Sequence, residues 1–200
     1  MKTRTKVALT ALCALLLVAA SVLGTLAYLT SITGPVENTF TAGNVVITLD
    51  EAKTNEYGEE ISNADRVYGN ELKLVPNHVY VKDPTVHVTA DSEPCWVFVK
   101  VTDGTVALQD TTNTVAKQIV EDNGWTQLTV EGTPVPGVYY KDHAAIGAAD
   151  YVVFNTLDIA QDANVSTVTN DTKLTVVGYA IQKDTLATAE AAWVTSGFGA

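Results

Sequence analysis

Histidine and cysteine are scarce in this chain, with three His and two Cys among 200 residues. That scarcity closes off whole classes of chemistry. His78, His87 and His143 are scattered, so no two stand one helical turn apart around a Glu, the H-E-x-x-H spacing by which common zinc proteases hold metal and base. His78 and His87 fall on strand-like stretches, where a surface histidine is the ordinary reading. G-x-S-x-G, P-loop and G-x-G-x-x-G patterns are missing as well. The expectation is a protein that is not an enzyme, with no catalytic residue, metal ligand or cofactor assigned. Cys13 lies inside an apolar N-terminal run, which leaves Cys95 alone in the remainder and allows no internal disulfide there. Cys95 reads as a small buried hydrophobe on a strand.

Basic charge is also sparse. Twelve Lys and Arg face 23 Asp and Glu, a net charge of −11. A surface of that sign repels nucleic acid and anionic membranes, and no basic patch offers itself to a phosphate backbone. The acidic stretch holding Asp50, Glu51, Glu56, Glu59, Glu60 and Asp65 lacks the D-x-D-x-D-G calcium spacing and reads as a solvated loop.

What is present begins with the N-terminus. Lys2, Arg4 and Lys6 precede Val7–Leu23, a run without a charge, and Thr25-Leu26-Ala27 follows. Basic, apolar and small-x-Ala regions in that order describe a signal peptide, residues 1–27, cleaved between Ala27 and Tyr28. The alternative is an uncleaved anchor, since about 20 apolar residues span a bilayer. Cleavage leaves 173 of the 200 residues, with nine basic side chains against 23 acidic ones, and deepens the net charge to −14. Membrane contact is then expected only through the signal segment, before cleavage.

The rest alternates with period two. Val45, Ile47 and Leu49 oppose Val46, Thr48 and Asp50; Cys95, Val97, Val99 and Val101 oppose Trp96, Phe98, Lys100 and Thr102. Residues 174–181 repeat the pattern. Shorter strands are predicted at Glu71–Val75, His78–Val81, Thr85–Thr89, Trp125–Val130 and Val138–Tyr140, divided by Pro, Gly, Asn and Asp. Such a series predicts an all-β fold, a jelly-roll or Ig-like β-sandwich over residues 43–200. One short C-terminal helix is predicted at Thr185–Trp193, capped by Asp184. Residues 103–114 read as a second loop, Lys82-Asp83-Pro84 as a strand-breaking turn, and Trp96, Trp125 and Trp193 as packing residues.

Residues 28–42 fit neither the membrane segment nor the strands. Here a likeness appears. "GTLAYLTSITGPVENTFTAGNVVITLDE", with Gly24–Thr30 followed by Asn38, Thr39, Phe40, Gly43, Asn44 and Val45, resembles the N-terminus of the SipW-dependent secreted proteins of Gram-positive bacteria, the group of TasA and camelysin (CalY). "LVPNHVYVKDPTVHV" is similar to that family's L-x-P-G-x-x-x-x-K-D-P-x-V, with Pro76, Lys82, Asp83, Pro84 and Val86 matching. "CWVFVKV", Trp125, "VYYK" and "VVGYAIQKDTLATAEAAW" extend the likeness along almost the whole chain. Asn77 replaces a usual Gly, and both residues tolerate a left-handed turn. Ser31-Ile32-Thr33 replaces an Asp-rich stretch.

The resemblance implies a jelly-roll-like sandwich, export, processing by a SipW-type signal peptidase, and a place in extracellular fibres or the biofilm matrix. It also implies assembly with copies of itself or related matrix proteins, the freed N-terminal segment adding as a strand to a neighbour. Val36, Asn38, Thr39, Phe40 and Thr41 are the expected assembly strand, the alternative being that they form the first strand of their own domain. A monomeric cell-surface binding module and a camelysin-like metalloprotease are the competing functions.

Overall fold

Among the described residues nine strands form, the longer ones where the β-branched alternation lies, and helices are few and short. A computed structural model describes residues 44–169 and 172–198. The signal segment, its cleavage residues Thr25, Ala27 and Tyr28, and the assembly strand Val36–Thr41 lie outside the described residues.

A four-stranded antiparallel sheet is built on β4 (Cys95–Asp103), paired on one side with β6 (Thr133–His143) and on the other with β9 (Leu174–Gln182). β5 (Thr126–Val130) flanks β6. A three-stranded sheet places β3 (Thr85–Val88) between β1 (Ile47–Asp50) and β7 (Ala149–Val152). β2 (Val79–Val81) and β8 (Thr156–Asp158) form a separate pair.

Alternation sorts the two faces of β4 into two cores. Cys95, Val97, Val99 and Val101 join Val86 and Val88 of β3, with Ile47, Leu49 and Val176 packed against them. A Cβ placed at Gly178 of β9 would lie 3.4 Å from the Ile47 side chain and 3.8 Å from that of Val86, so the two sheets meet there in van der Waals contact. On the other face, Trp96 and Phe98 meet α2 (Ala189–Ser196) through Ala189, Ala192 and Trp193. α1 (Val115–Lys117) continues as a wider turn, Gln118–Asp122, and buries Val115 and Ile119.

Several expectations shift. Glu71–Val75 is not a strand, because its donors are taken elsewhere: Lys73 N–H by Glu56 O at 2.7 Å and Val75 N–H by the Tyr80 hydroxyl at 2.7 Å. The C-terminal helix starts four residues late. Leu186 O accepts from Trp96 Nε1 at 2.9 Å, Asp184 accepts from Gln182, and Thr188 caps instead, its Oγ1 accepting from Ala191 N at 3.1 Å. β6 runs through Pro134 and Pro136 because Gly137 adopts φ +69°, where an added Cβ would sit 2.3 Å from Val101 O. Asn77, at φ +56°, takes the left-handed turn expected of it. Loop 51–66 is not simply solvated, since Glu51, Ala52 and Thr54 are buried. In loop 103–114, Leu108 and Gln109 are likewise buried beside a 3₁₀ turn, Val106–Leu108.

Candidate functional site

The polar side chains converge around β1 and the connection that follows it. On the outer face of the three-stranded sheet, the register sets His87 opposite Thr48 of β1 and Asp150 of β7. His87 Nδ1 lies 2.7 Å from Asp150 Oδ1, and Nε2 lies 3.0 Å from Asp50 Oδ1. A neutral imidazole offers one N–H, whereas two carboxylate acceptors suit an imidazolium donating from both nitrogens. Burial opposes that charge, but the bonds and charges of Asp50 and Asp150 outweigh it and raise the His87 pKa above the ordinary histidine value.

Asp50 is shared. Burial pushes its pKa up, yet Arg66 and His87 together hold the carboxyl below its usual range. Arg66 Nε donates to Asp50 Oδ1, Nη1 donates to Asp83 Oδ2 at 2.8 Å, and Nη2 reaches Thr85 Oγ1 at 3.1 Å. Three carboxylates and two cations thus tie β1, β3, β7 and the 51–66 connection together.

One residue on, alternation turns Glu51 inward. It is 4 % exposed and Lys82 9 %, so both ions are largely out of water and need each other. Lys82 Nζ donates to Glu51 Oε2 at 2.5 Å. Asn70 Nδ2 donates to Glu51 Oε1 and to Ala52 O, both at 2.8 Å, while Asn70 Oδ1 accepts from Thr54 N at 2.9 Å. Asp83 Oδ1 accepts from Ala52 N at 2.6 Å. The Lys82-Asp83-Pro84 turn is therefore architectural, as its sequence suggests, but through its side chains as well as its proline. Both neighbours fasten the 51–70 excursion.

These groups border an open groove beside β1 and the start of β9. About 340 Å³ is lined by Leu49, Glu51, Tyr68, Lys82, Leu174 and Val176. It shares Asn70 and Lys82 with a larger hollow of about 640 Å³ whose walls include Leu72, Leu157 and Val168. Tyr68, at the mouth, is 96 % exposed.

No family model, curated protein or solved structure matches the chain.

The three histidines stand apart in role. His78 is half-buried, with Nε2 2.7 Å from Tyr57 O, and His87 is held by its two carboxylates. His143 is buried opposite Cys95, its Nδ1 2.9 Å from the Tyr151 hydroxyl and its Nε2 without a partner. Among the described residues no group of three or more His, Cys, Asp or Glu is arranged to hold a metal ion. Cys95 is fully buried, and burial, with Asp142 adding to it, pushes the thiol pKa up to about 11. That is an inert packing residue. Trp96, Trp125 and Trp193 are all buried, as packing residues should be. Sequence reasoning missed the Glu51–Asn70–Lys82 contact and the His87 bridge. Neither has a local signature, because the bonded partners lie 19 to 63 residues apart.

Proposed function

We propose that the mature chain is a secreted structural protein of an extracellular matrix, a jelly-roll β-sandwich subunit joined to its neighbours by strand addition. One observation carries the reading. Among the described residues β1 is paired as a strand only with β3 and β9 only with β4, and both unpaired edges border the groove. An open edge presents a row of backbone donors and acceptors that an incoming strand completes.

In this reading a SipW-type peptidase cuts before Tyr28 and frees Val36–Thr41 of one molecule for the edge of the next. Phe40 inserts among the apolar walls, a burial worth about 1.5–3 kcal/mol per contact. A head-to-tail contact does not close on itself, so it propagates as a filament. The chain works outside the cell, without catalysis or cofactor. Tyr68 favours a second reading, a monomeric surface module that binds a partner at the groove mouth, since an exposed aromatic is a common anchor at interfaces.

The test uses the secreted protein. Intact mass should show the loss of 27 residues, and the chain starting at Tyr28 should scatter light and form filaments in the electron microscope. Phe40→Asp, or deletion of residues 28–34, should leave a folded monomer. A wild-type chain that stays monomeric at high concentration favours the surface module. Loss of the fold in both variants shows that the segment belongs to its own domain and removes the assembly reading.

A further inference from the structure

The buried carboxylate of Glu51 does more than neutralise a lysine. Its two oxygens bind two different side chains, Lys82 Nζ on Oε2 and Asn70 Nδ2 on Oε1, and so bring an amine and a primary amide to one proton carrier. Amine, amide and carboxyl, with the amine and the carboxyl largely buried, are the components of an amide exchange. We propose that Lys82 and Asn70 form an intramolecular isopeptide bond, with Glu51 moving the protons.

The atoms balance without any co-reactant. Glu51 accepts a proton from the Lys82 ammonium across the 2.5 Å contact, leaving a neutral amine. The Nζ lone pair attacks Asn70 Cγ and a new C–N bond forms. Asn70 Oδ1 already accepts a backbone N–H from Thr54 at 2.9 Å, and that donor stabilises the negative charge that develops on the oxygen. Glu51 Oε1 faces Nδ2, the leaving nitrogen, and returns the proton there. The Cγ–Nδ2 bond breaks and ammonia departs through the open groove that all three residues line. Nζ gives up its remaining extra proton, relayed by Glu51, to the departing ammonia, which leaves as ammonium, and Glu51 ends as it began. Nothing is oxidised or reduced.

Placement favours the reaction further. Glu51 is 4 % exposed and Lys82 9 %, so water competes poorly with the amine. Among the described residues Glu51 is the one side chain that Lys82 bonds. Asn70 is fixed at three points, by Glu51, Ala52 O and Thr54 N, which keeps its amide in one orientation toward the carboxyl. The product fastens the 51–70 excursion to the turn between β2 and β3. That is the kind of staple the described residues, whose one cysteine is the buried Cys95, cannot obtain from a disulfide among themselves.

Intact mass of the folded, purified chain under denaturing conditions reads the result directly. The expected mass is that of the purified chain's own sequence, from its first residue on, less one ammonia. Trypsin cuts after Arg66, Lys73 and Lys100 but not at a modified Lys82, so segment 67–73 should appear joined to segment 74–100. Glu51→Gln keeps both reactants but removes the proton carrier, and Lys82→Arg removes the nucleophile; each should restore the full sequence mass and release 67–73 free. Wild-type protein of full mass that yields free 67–73, even after prolonged incubation, overturns the proposal whatever the variants do. Ammonia loss that persists in Lys82→Arg also overturns it, assigning the loss to a succinimide such as Asn123-Gly124 would form.

Discussion

Strand β4 and the 50–85 region are held together in opposite ways. β4 is paired on both sides, and its two faces sit in two apolar cores, with Val97, Phe98 and Val99 wholly removed from solvent. Residues 50–85 contribute little regular structure and are fixed by Lys82–Glu51, Asn70, Arg66 with Asp50 and Asp83, and His87. Apolar burial is non-directional and tolerates breathing, whereas each polar contact fixes one atom against another at one distance. The difference teaches that this molecule uses area to hold its sheets and geometry to hold its excursion. The two should fail differently.

The largest effect is expected at Phe98, which contacts Trp193 at a ring-centroid distance of 5.2 Å and is fully buried. Phe98→Ala should cost about 3–5 kcal/mol. The loss should appear as a lower urea midpoint together with a changed Trp fluorescence as α2 loosens. An unchanged midpoint would mean that the second core is not structural.

Next comes Tyr80, buried within the excursion's own anchorage. Its hydroxyl donates to Lys73 O at 2.8 Å and accepts from Val75 N at 2.7 Å. Tyr80→Phe orphans that N–H and should cost about 1–3 kcal/mol. Hydrogen exchange should speed up at residues 73–75 before anywhere in β4, a local failure where Phe98→Ala gives a global one.

His87 sharpens the contrast through pH. Its folded pKa lies above the unfolded value of about 6.5, so its contribution is fully present below that pH and is lost as pH rises through the folded pKa. Asp50, with a depressed pKa, works the other way; its contribution stands above the ordinary carboxylate range and falls away under acid. Together they predict a stability plateau in weak acid. His87→Gln should remove the alkaline slope, at no more than about 1 kcal/mol for a partly exposed pair, as read from melting temperature against pH. A slope that persists in the variant would place the titrating group elsewhere.

Tyr68→Ser is the smallest. At 96 % exposure its side chain contributes nothing to either core, so stability should stay within about 0.5 kcal/mol of wild type. A larger change in the melting temperature would contradict that placement.

The same contrast explains what could be read from the sequence. β1, β4 and β9 announce themselves because Val and Ile alternate over four to nine residues, and a single buried face leaves that trace. β7, reading ADYV, carries a single β-branched residue, and β8, three residues long, is too short to show a period. α1 did carry a signal, Thr114 before Val115 and Ile119 at helical spacing, but its α-helical part, Val115–Lys117, is only three residues before the turn widens, under the usual helix length. Asp184 lost the cap to Thr188 because a tertiary bond, Trp96 to Leu186 O, outranked local preference. For the candidate site, Lys82 and Asp83 were visible as a motif, while their partners Glu51, Asn70 and Arg66 were not. A long-range polar contact leaves no periodicity behind.

The helix that closes the second core also sets a schedule. Phe98 and Trp96 leave the ribosome early, yet their covering residues Ala189, Ala192 and Trp193 emerge more than 90 residues later, after every strand of the sheet. Until then one side of β4 stays greasy and uncovered, even if β6 has already paired with it. Distant contacts of this sort slow folding and lengthen the exposure of sticky intermediates. A chain handed over during synthesis would thus arrive still soft, and α2, emerging after the strands it covers, would act as the latch that makes the shape final.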